Sequence, residues 1–184
     1  PMKSSPHSPV EFLAPLSRYP ERVYATEIPT PFGPMTLAGE KDALLAARLN
    51  VTLDAFSREV KAQWGSSVTK DHGPFGYVIR VLEDYFSGKP GPIRAVVRPL
   101  PAPPFIRAVH RALATIPYGE TVTYAELAEM AGKPGAARAA GTGCGRNPVI
   151  IIVPCHRVIA SKGLGGFGAG LDVKKRLLAL EAGN

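Results

Sequence analysis

A chain of 184 residues, 45% of them hydrophobic, is long enough to bury one ordinary core or two small ones, and no run approaches the roughly 18 unbroken apolar residues of a membrane span. The opening PMKSSPHSPVEF has no apolar stretch of the secretory-signal kind, and two cysteines without a CxxC pair or finger-like histidine spacing exclude a disulfide scaffold or a zinc finger; a soluble, intracellular protein is expected. The net charge of +7 is uneven: residues 1–102 hold twelve Lys and Arg against ten Asp and Glu, and residues 103–184 hold ten against five, which makes the second half the better face for a polyanion or simply a solvated basic surface.

In chain order, Pro1, Pro6, Pro9, Pro15 and Pro20 make residues 1–20 an irregular arm. Short strand-like runs follow at 22–28, 34–38 and 43–49, the first two parted by the turn formers Pro29, Pro31 and Gly33. Helices are predicted over 52–63 and 74–87. In the second, Phe75, Val78, Ile79, Leu82 and Phe86 recur at three- and four-residue steps and build one apolar face. Gly88 and Pro90 stop it, and 93–98 reads as another strand. Residues 21–100 thus form a small mixed α/β layer. Pro99, Pro101, Pro103 and Pro104 can neither continue a helix nor enter a sheet, and a domain boundary is expected there.

Residues 101–184 change character. Ile106, Val109 and Leu113 share one stripe of a helix over 104–115, which Pro117–Gly119 ends. Thr123 and Glu126 have capping-box spacing, opening a short helix at 124–131 that Gly132 closes. Pro134 suits the first turn of a further helix reaching about Gly145. Two short helices joined by a glycine-containing turn fit a helix-turn-helix, and equally an ordinary helical hairpin. The fold class is α+β, a small mixed layer followed by a mainly helical unit.

The stretch from Arg146 to Val158, RNPVIIIVPCHRV, carries the most chemistry. Val149–Val153 is predicted as a strand that Pro154 ends, with Cys155 and His156 immediately after it. Only a thiolate is a strong nucleophile, and an adjacent imidazole can take the thiol proton directly or through one water. A free cysteine is equally at home as an inert core residue, so the dipeptide alone leaves both readings open. Adjacent Cys and His do argue against a papain-type protease, whose partners lie far apart in sequence.

The string NPVIIIVPCHRV, preceded by IPYGETVTYAELAEMAGKPGAARAAG and followed by GGFGAGLDVKKRLLALE, resembles the O6-alkylguanine-DNA alkyltransferase family over about residues 100–182. The earlier residues are similar only loosely to that family's variable N-terminal domain. The resemblance implies a winged-helix-like helix-turn-helix unit and an irreversible, once-only transfer of an alkyl group from the O6 position of guanine in DNA to the protein's own cysteine. It assigns the acceptor to Cys155, the base to His156 acting through a bridging water, the orienting carboxylate to Glu181 and the brace of the cysteine turn to Asn147. Tyr124 then approaches the target base, Val158 offers its carbonyl to the guanine amino group, and Phe167 and Gly168 belong to a glycine-rich loop, 163–170, that closes over the base.

The same resemblance makes Arg138 a finger that fills the place of an extruded nucleotide, with Thr123, Ala136, Ala137, Gly141 and Arg146 beside it on the DNA face. The small side chains of 136–143 allow close approach to the minor groove, whose degenerate code fits a weak sequence preference, although tight helix packing explains them as well. Chemistry on a stacked base requires flipping it out. No metal or organic cofactor is implied, the expected partner is double-stranded DNA with no membrane, and the expected state is a monomer, cytoplasmic and nucleoid-associated in a prokaryote or nuclear in a eukaryote. The family often carries Tyr-Ser or Tyr-Ala where this chain has Phe167-Gly168. Cys144 lies outside the PCHRV string and reads as buried and inert. Two rival readings are a lesion-binding module without chemistry, which the presence of Cys155 opposes, and a cysteine hydrolase or redox protein, for which no partner cysteine or separate triad pattern is seen.

Overall fold

The computed structural model describes residues 8–89 and 91–183 and is α+β, as expected. Its larger sheet is built from β1 (Val10–Phe12), β2 (Arg22–Thr30), β3 (Gly33–Gly39), β4 (Leu44–Leu49), β5 (Ser67–Lys70) and β6 (Ala95–Val97), in the order β1-β6-β4-β3-β2-β5. Strands β2, β3 and β4 form an antiparallel meander, to which β5 and β6 add in parallel. Side chains alternate between faces, so the sheet carries two apolar layers. On one face α1 (Leu53–Trp64), whose first turn is capped by Thr52 Oγ1 accepting from Ala55 N at 3.3 Å, sets Phe56 and Val60 against Val23, Ala25 and Ala38. On the other, α2 (Gly76–Phe86) and the C-terminal half share a layer with Met35, Leu37, Leu44 and Leu49. Each fully buried Phe or Leu here contributes about 2 kcal/mol.

The C-terminal half consists of α3 (Pro104–Leu113), β7 (Val122–Thr123), α4 (Tyr124–Met130), α5 (Ala137–Gly145), β8 (Val158–Ile159) and α6 (Leu171–Glu181), with β7 and β8 paired in parallel. Helices α3, α4 and α5 pack on one another. The expected capping box is formed: Thr123 Oγ1 accepts from Glu126 N at 3.2 Å, and Glu126 Oε2 accepts from Thr123 N at 2.6 Å. A Cβ added at Gly143 would lie 2.6 Å from Val109 Cγ1, so the bare backbone of α5 is what lets it sit against α3. The proline run at 99–104 bends the chain without interrupting the core. Val97, Val109, Leu113 and Ile151 occupy one buried cluster, and β4 bonds directly to the later segment, with Ala47 N donating to Pro148 O at 2.8 Å and Ile150 N to Ala47 O at 3.1 Å.

Several expectations are corrected. Pro1 and Pro6 lie outside the described residues, but the rest of the supposedly irregular arm includes β1, which pairs in parallel with β6; Pro9 precedes the strand and only accepts, from Ala95 N. The helix expected from Pro134 begins at Ala137, because Gly135 has φ +80° and the chain turns there. Val149–Val153 is no strand: it makes only single bridges, and Ile151 at φ +72° reverses the chain so that Val153 N donates back to Val149 O. A β-branched residue at positive φ is strained, and Ile151 tolerates it while 1% exposed in the core. Strand β5 and helix α6 were not anticipated.

Candidate active site

The hairpin-like reversal at 149–153 delivers Cys155 and His156 into a short 3₁₀ turn, Cys155–Arg157, rather than at a strand end. Asn147 holds this reversal from inside. Its Nδ2 donates to Val153 O at 2.7 Å and its Oδ1 accepts from Val149 N at 3.1 Å, which is the bracing position expected of it. Cys155 is 5% exposed. Burial pushes its thiol up, opposed by the Asn147 amide and the Lys174 ammonium, so the resting group is a thiol and needs a base to become a nucleophile.

The imidazole of His156, the next residue, is held by one carboxylate. His156 Nε2 lies 2.8 Å from Glu181 Oε1, which places the ring proton on Nε2 and leaves the Nδ1 lone pair free. Nδ1 is buried and has no hydrogen-bond partner among the described residues. Glu181 Oε1 also accepts from Tyr85 Oη at 2.7 Å and Arg157 Nη2 at 2.9 Å, while Oε2 accepts from Arg157 Nε at 2.8 Å and Gly119 N at 3.1 Å. Arg157 spends its remaining Nη1 on Ile116 O at 2.6 Å and lies over the Tyr118 ring. Burial would raise the Glu181 carboxyl, but the hydrogen bonds and charges of His156 and Arg157 hold it well below the usual carboxylate range. Burial lowers His156, against the pull of Glu181 and with the push of Arg157 and Lys174, so the imidazole rests neutral.

The thiol opens into a small cleft of about 140 Å³, lined by Tyr124, Gly141, Cys144, Gly145, Cys155, Gly166, Phe167 and Gly168. The volume is below that of pockets for drug-sized ligands and suits one planar ring. Larger clefts elsewhere, such as the one bordered by Arg94, Tyr118 and Pro154, are lined by no cysteine among the described residues. Tyr124 Oη accepts from Gly166 N at 3.2 Å, and any Cβ at Gly165 would lie 2.8 Å from the tyrosine ring and hydroxyl. The loop can therefore lie on Tyr124 only because that position, at φ +69°, is glycine. Phe167 meets His156 edge-on at 6.3 Å between ring centres.

Beneath the loop, Lys174 Nζ donates to Val158 O at 2.5 Å, Leu164 O at 2.5 Å and Gly166 O at 3.2 Å. The carbonyl expected of Val158 is thus already half used, with one lone pair left. Burial lowers the Lys174 pKa, against nearby Cys155 and Cys144.

Of the residues named from the sequence, Cys155, His156, Glu181 and Asn147 converge, and Tyr124, Phe167 and Gly168 line the cleft beside them. On α5, Arg138 is exposed and forms no salt bridge among the described residues; Ala136, Ala137 and Gly141 are half-exposed and Arg146 caps the helix in solvent. The hydroxyl of Thr123 is committed to Glu126. Cys144 is half-buried in the cleft wall rather than buried away from it, and burial pushes its thiol up to about 12. Sequence reasoning passed over Tyr85 and Lys174 and gave Arg157 no partner. On α6 the inward stripe is Lys174, Leu177 and Glu181 at steps of three and four, a helical period whose two ends are charged and which an apolar count cannot register.

With this geometry in place, similarity to known proteins can be stated. Residues 23–99 match the family described as 6-O-methylguanine DNA methyltransferase, ribonuclease-like domain, and residues 104–183 match 6-O-methylguanine DNA methyltransferase, DNA binding domain. A methylated-DNA–protein-cysteine methyltransferase of Mycobacterium tuberculosis is 41% identical over 160 residues, covering 86% of this chain and 92% of that one. One from Methanosarcina barkeri is 42% identical over 163 residues, covering 88% and 99%. The crystal structure of Mycobacterium tuberculosis OGT in complex with DNA superposes with a TM-score of 0.76 at 40% identity, covering 88% of this chain and 93% of that chain.

Proposed function

The chain belongs to the 6-O-methylguanine DNA methyltransferase family, so it binds DNA and repairs it by taking the alkyl group of O6-alkylguanine onto a cysteine of its own, and we propose that Cys155 is that cysteine. The observation that carries the assignment is the free, buried Nδ1 of His156 in the turn that also holds Cys155, backed through Nε2 by Glu181. Cys155 gives its proton to Nδ1, through one water where the two do not touch, and Glu181 stabilises the imidazolium formed. The thiolate attacks the alkyl carbon in line: an S–C bond forms, the C–O6 bond breaks and guanine leaves with the electron pair. A thioether has no easy way back to thiolate, so each molecule reacts once.

The cleft is the place for the base. A nucleotide must leave the stack to reach a buried thiol, at a cost of a few kcal/mol. We read Tyr124, Phe167 and Gly168 as its walls and the free lone pair of Val158 O as an acceptor for the guanine amino group. The exposed, small-sided face of α5, with Ala136, Ala137 and Gly141, faces the minor groove; Arg138 takes the vacated place in the duplex and Arg146 meets phosphate, with Thr123 beside them on the DNA face. Residues 101–184 form the DNA-binding and acceptor unit, 21–100 its N-terminal companion and 1–20 the arm. The protein acts as a monomer in the cytoplasm, on nucleoid DNA if prokaryotic; no helix among the described residues is long and apolar enough to cross a membrane.

Intact mass spectrometry after incubation with a duplex containing one O6-methylguanine tests this. Replacement of S–H by S–CH₃ gives one gain of about 14 Da, and peptide mapping should locate it at Cys155. A gain on Cys144, or transfer by Cys155→Ala at the wild-type rate, would overturn the assignment.

A further inference from the structure

The N-terminal half reaches the relay through one atom. Tyr85 is on α2, 2% exposed, and its hydroxyl lies 2.7 Å from Glu181 Oε1 and 3.4 Å from His156 Nε2. Its ring is fixed edge-on between Phe86 and Tyr118, at 5.4 Å and 6.0 Å between centres. The hydroxyl has one proton. His156 Nε2 must keep its own to reach the carboxylate, so the Tyr85 proton goes to Oε1 and the phenol oxygen faces the imidazole N–H.

We propose that Tyr85 is a positioning residue for alkyl transfer: its hydroxyl, supplied by the N-terminal half, donates to the same Glu181 oxygen that holds His156 and so helps to fix both the direction and the proton affinity of the carboxylate that backs the base. The inference rests on Cys155 and His156 acting as described above.

Two consequences follow from the chemistry. First, Oε1 without Tyr85 keeps only Arg157 and His156, so the pull of the Arg157 guanidinium is no longer opposed by the phenol and the bond to His156 can lengthen, which loosens the aim of Nδ1. Second, a carboxylate that loses a donor becomes more basic and stabilises the imidazolium more strongly. The other groups facing this pair are Arg157 and Gly119 N on Glu181, Tyr118 beside Arg157, and Lys174 and Cys155 around the imidazole. Of these, only Arg157 Nη2 shares Oε1 with Tyr85 and His156, at 2.9 Å. Burial and the neighbouring Glu181 charge both raise Tyr85, so it remains a proton donor throughout the working range of pH.

The test is Tyr85→Phe, which keeps the ring and removes the hydroxyl. Single-turnover transfer to Cys155 is followed by mass, from free O6-benzylguanine and from methylated duplex, over a range of pH, with wild type in parallel. The expected result is a rate about tenfold lower on both substrates, the loss of one hydrogen bond to a charged group, with the acid limb of the profile moved to higher pH and duplex affinity unchanged. A merely structural role would lower the active fraction and the melting temperature without moving that limb. An unchanged rate and limb beside an active wild type overturns this inference alone; a wild type that gains no mass overturns the acceptor assignment and this inference with it. If Tyr85→Phe does not fold, the wild-type protein decides by NMR: a slowly exchanging Tyr85 hydroxyl proton in contact with the His156 ring protons is expected, and its absence overturns the proposal.

Discussion

The two ends of α6 present the same face to the interior and build opposite kinds of site. At its C-terminal end, Glu181 is a buried anion with five donors on its two oxygens, and the three side chains among those donors, His156, Arg157 and Tyr85, are likewise out of solvent. At its N-terminal end, Lys174 is a buried cation on three carbonyls, and above those carbonyls lies the loop whose Gly166 and Gly168 are exposed. In the mechanism proposed above, one end fixes the atoms that move a proton and the other holds down a cover that must admit a base. The difference teaches how one short helix serves both tasks. A saturated polar cluster gives a rigid reaction centre, whereas an ammonium under backbone oxygens anchors a glycine loop without specifying side chains on it.

Breaking the Glu181 end should have the larger effect. Glu181→Gln leaves Arg157 buried without its counter-charge, expected to cost about 3–5 kcal/mol of stability. It also turns the partner of His156 into a neutral amide, expected to slow transfer by about 10²–10⁴-fold. Denaturant titration and single-turnover rates measure the two, and a variant of wild-type stability would mean that the pair is not buried as described.

Next comes Lys174→Met, which keeps length but leaves three carbonyls without their donor, for an expected loss of about 1–3 kcal/mol. Transfer from free base and from duplex should fall together, since the loop closes over both. A loss confined to duplex DNA would move Lys174 from loop anchor to DNA contact.

The comparison also has a pH signature. The Glu181 carboxyl is lowered by folding, so its contribution is present above the unfolded carboxyl pKa of about 4 and is lost as pH falls toward the lower folded value. His156 and the buried His110, whose Nε2 lies 3.0 Å from Gly143 O, are both lowered by burial. The unfolded chain therefore binds protons first as pH drops below about 6.5, and stability falls from there. Melting temperature should decline from pH 7 to 4 through the histidines and fall further below pH 4 as Glu181 is protonated, the second fall being smaller in Glu181→Gln; a flat profile from pH 7 to 4 would contradict the buried, neutral histidines.

The smallest effect sharpens the other side of the contrast. Arg138→Ala touches neither end of α6, so stability and reaction with free O6-benzylguanine should be unchanged. Transfer from duplex should drop about tenfold, a share of the few kcal/mol that extrusion costs. Equal losses on both substrates would remove its role in the duplex.

The sequence by itself determined the periodic elements and the reactive string of residues. The strands β2 to β4, α1, the capping box at Thr123 and the string PCHRV are local patterns, and Cys155, His156 and Asn147 fall within nine residues of one another, in one stretch of chain. Glu181, by contrast, was named only through resemblance, because a carboxylate on a terminal helix reads as solvated until a fold surrounds it. Tyr85 lies 96 positions from Glu181 and Lys174 points inward at a period that apolar counting ignores. The reversal at Ile151 was hidden by β-branched residues, which favour strands, whereas here Pro148 and Ile150 pair with Ala47 of β4 and the chain turns back with the Ile151 side chain 1% exposed. Tertiary structure decided these because burying a charge or straining a backbone is unfavourable locally, and only distant groups that fill the remaining lone pairs and core volume can offset it.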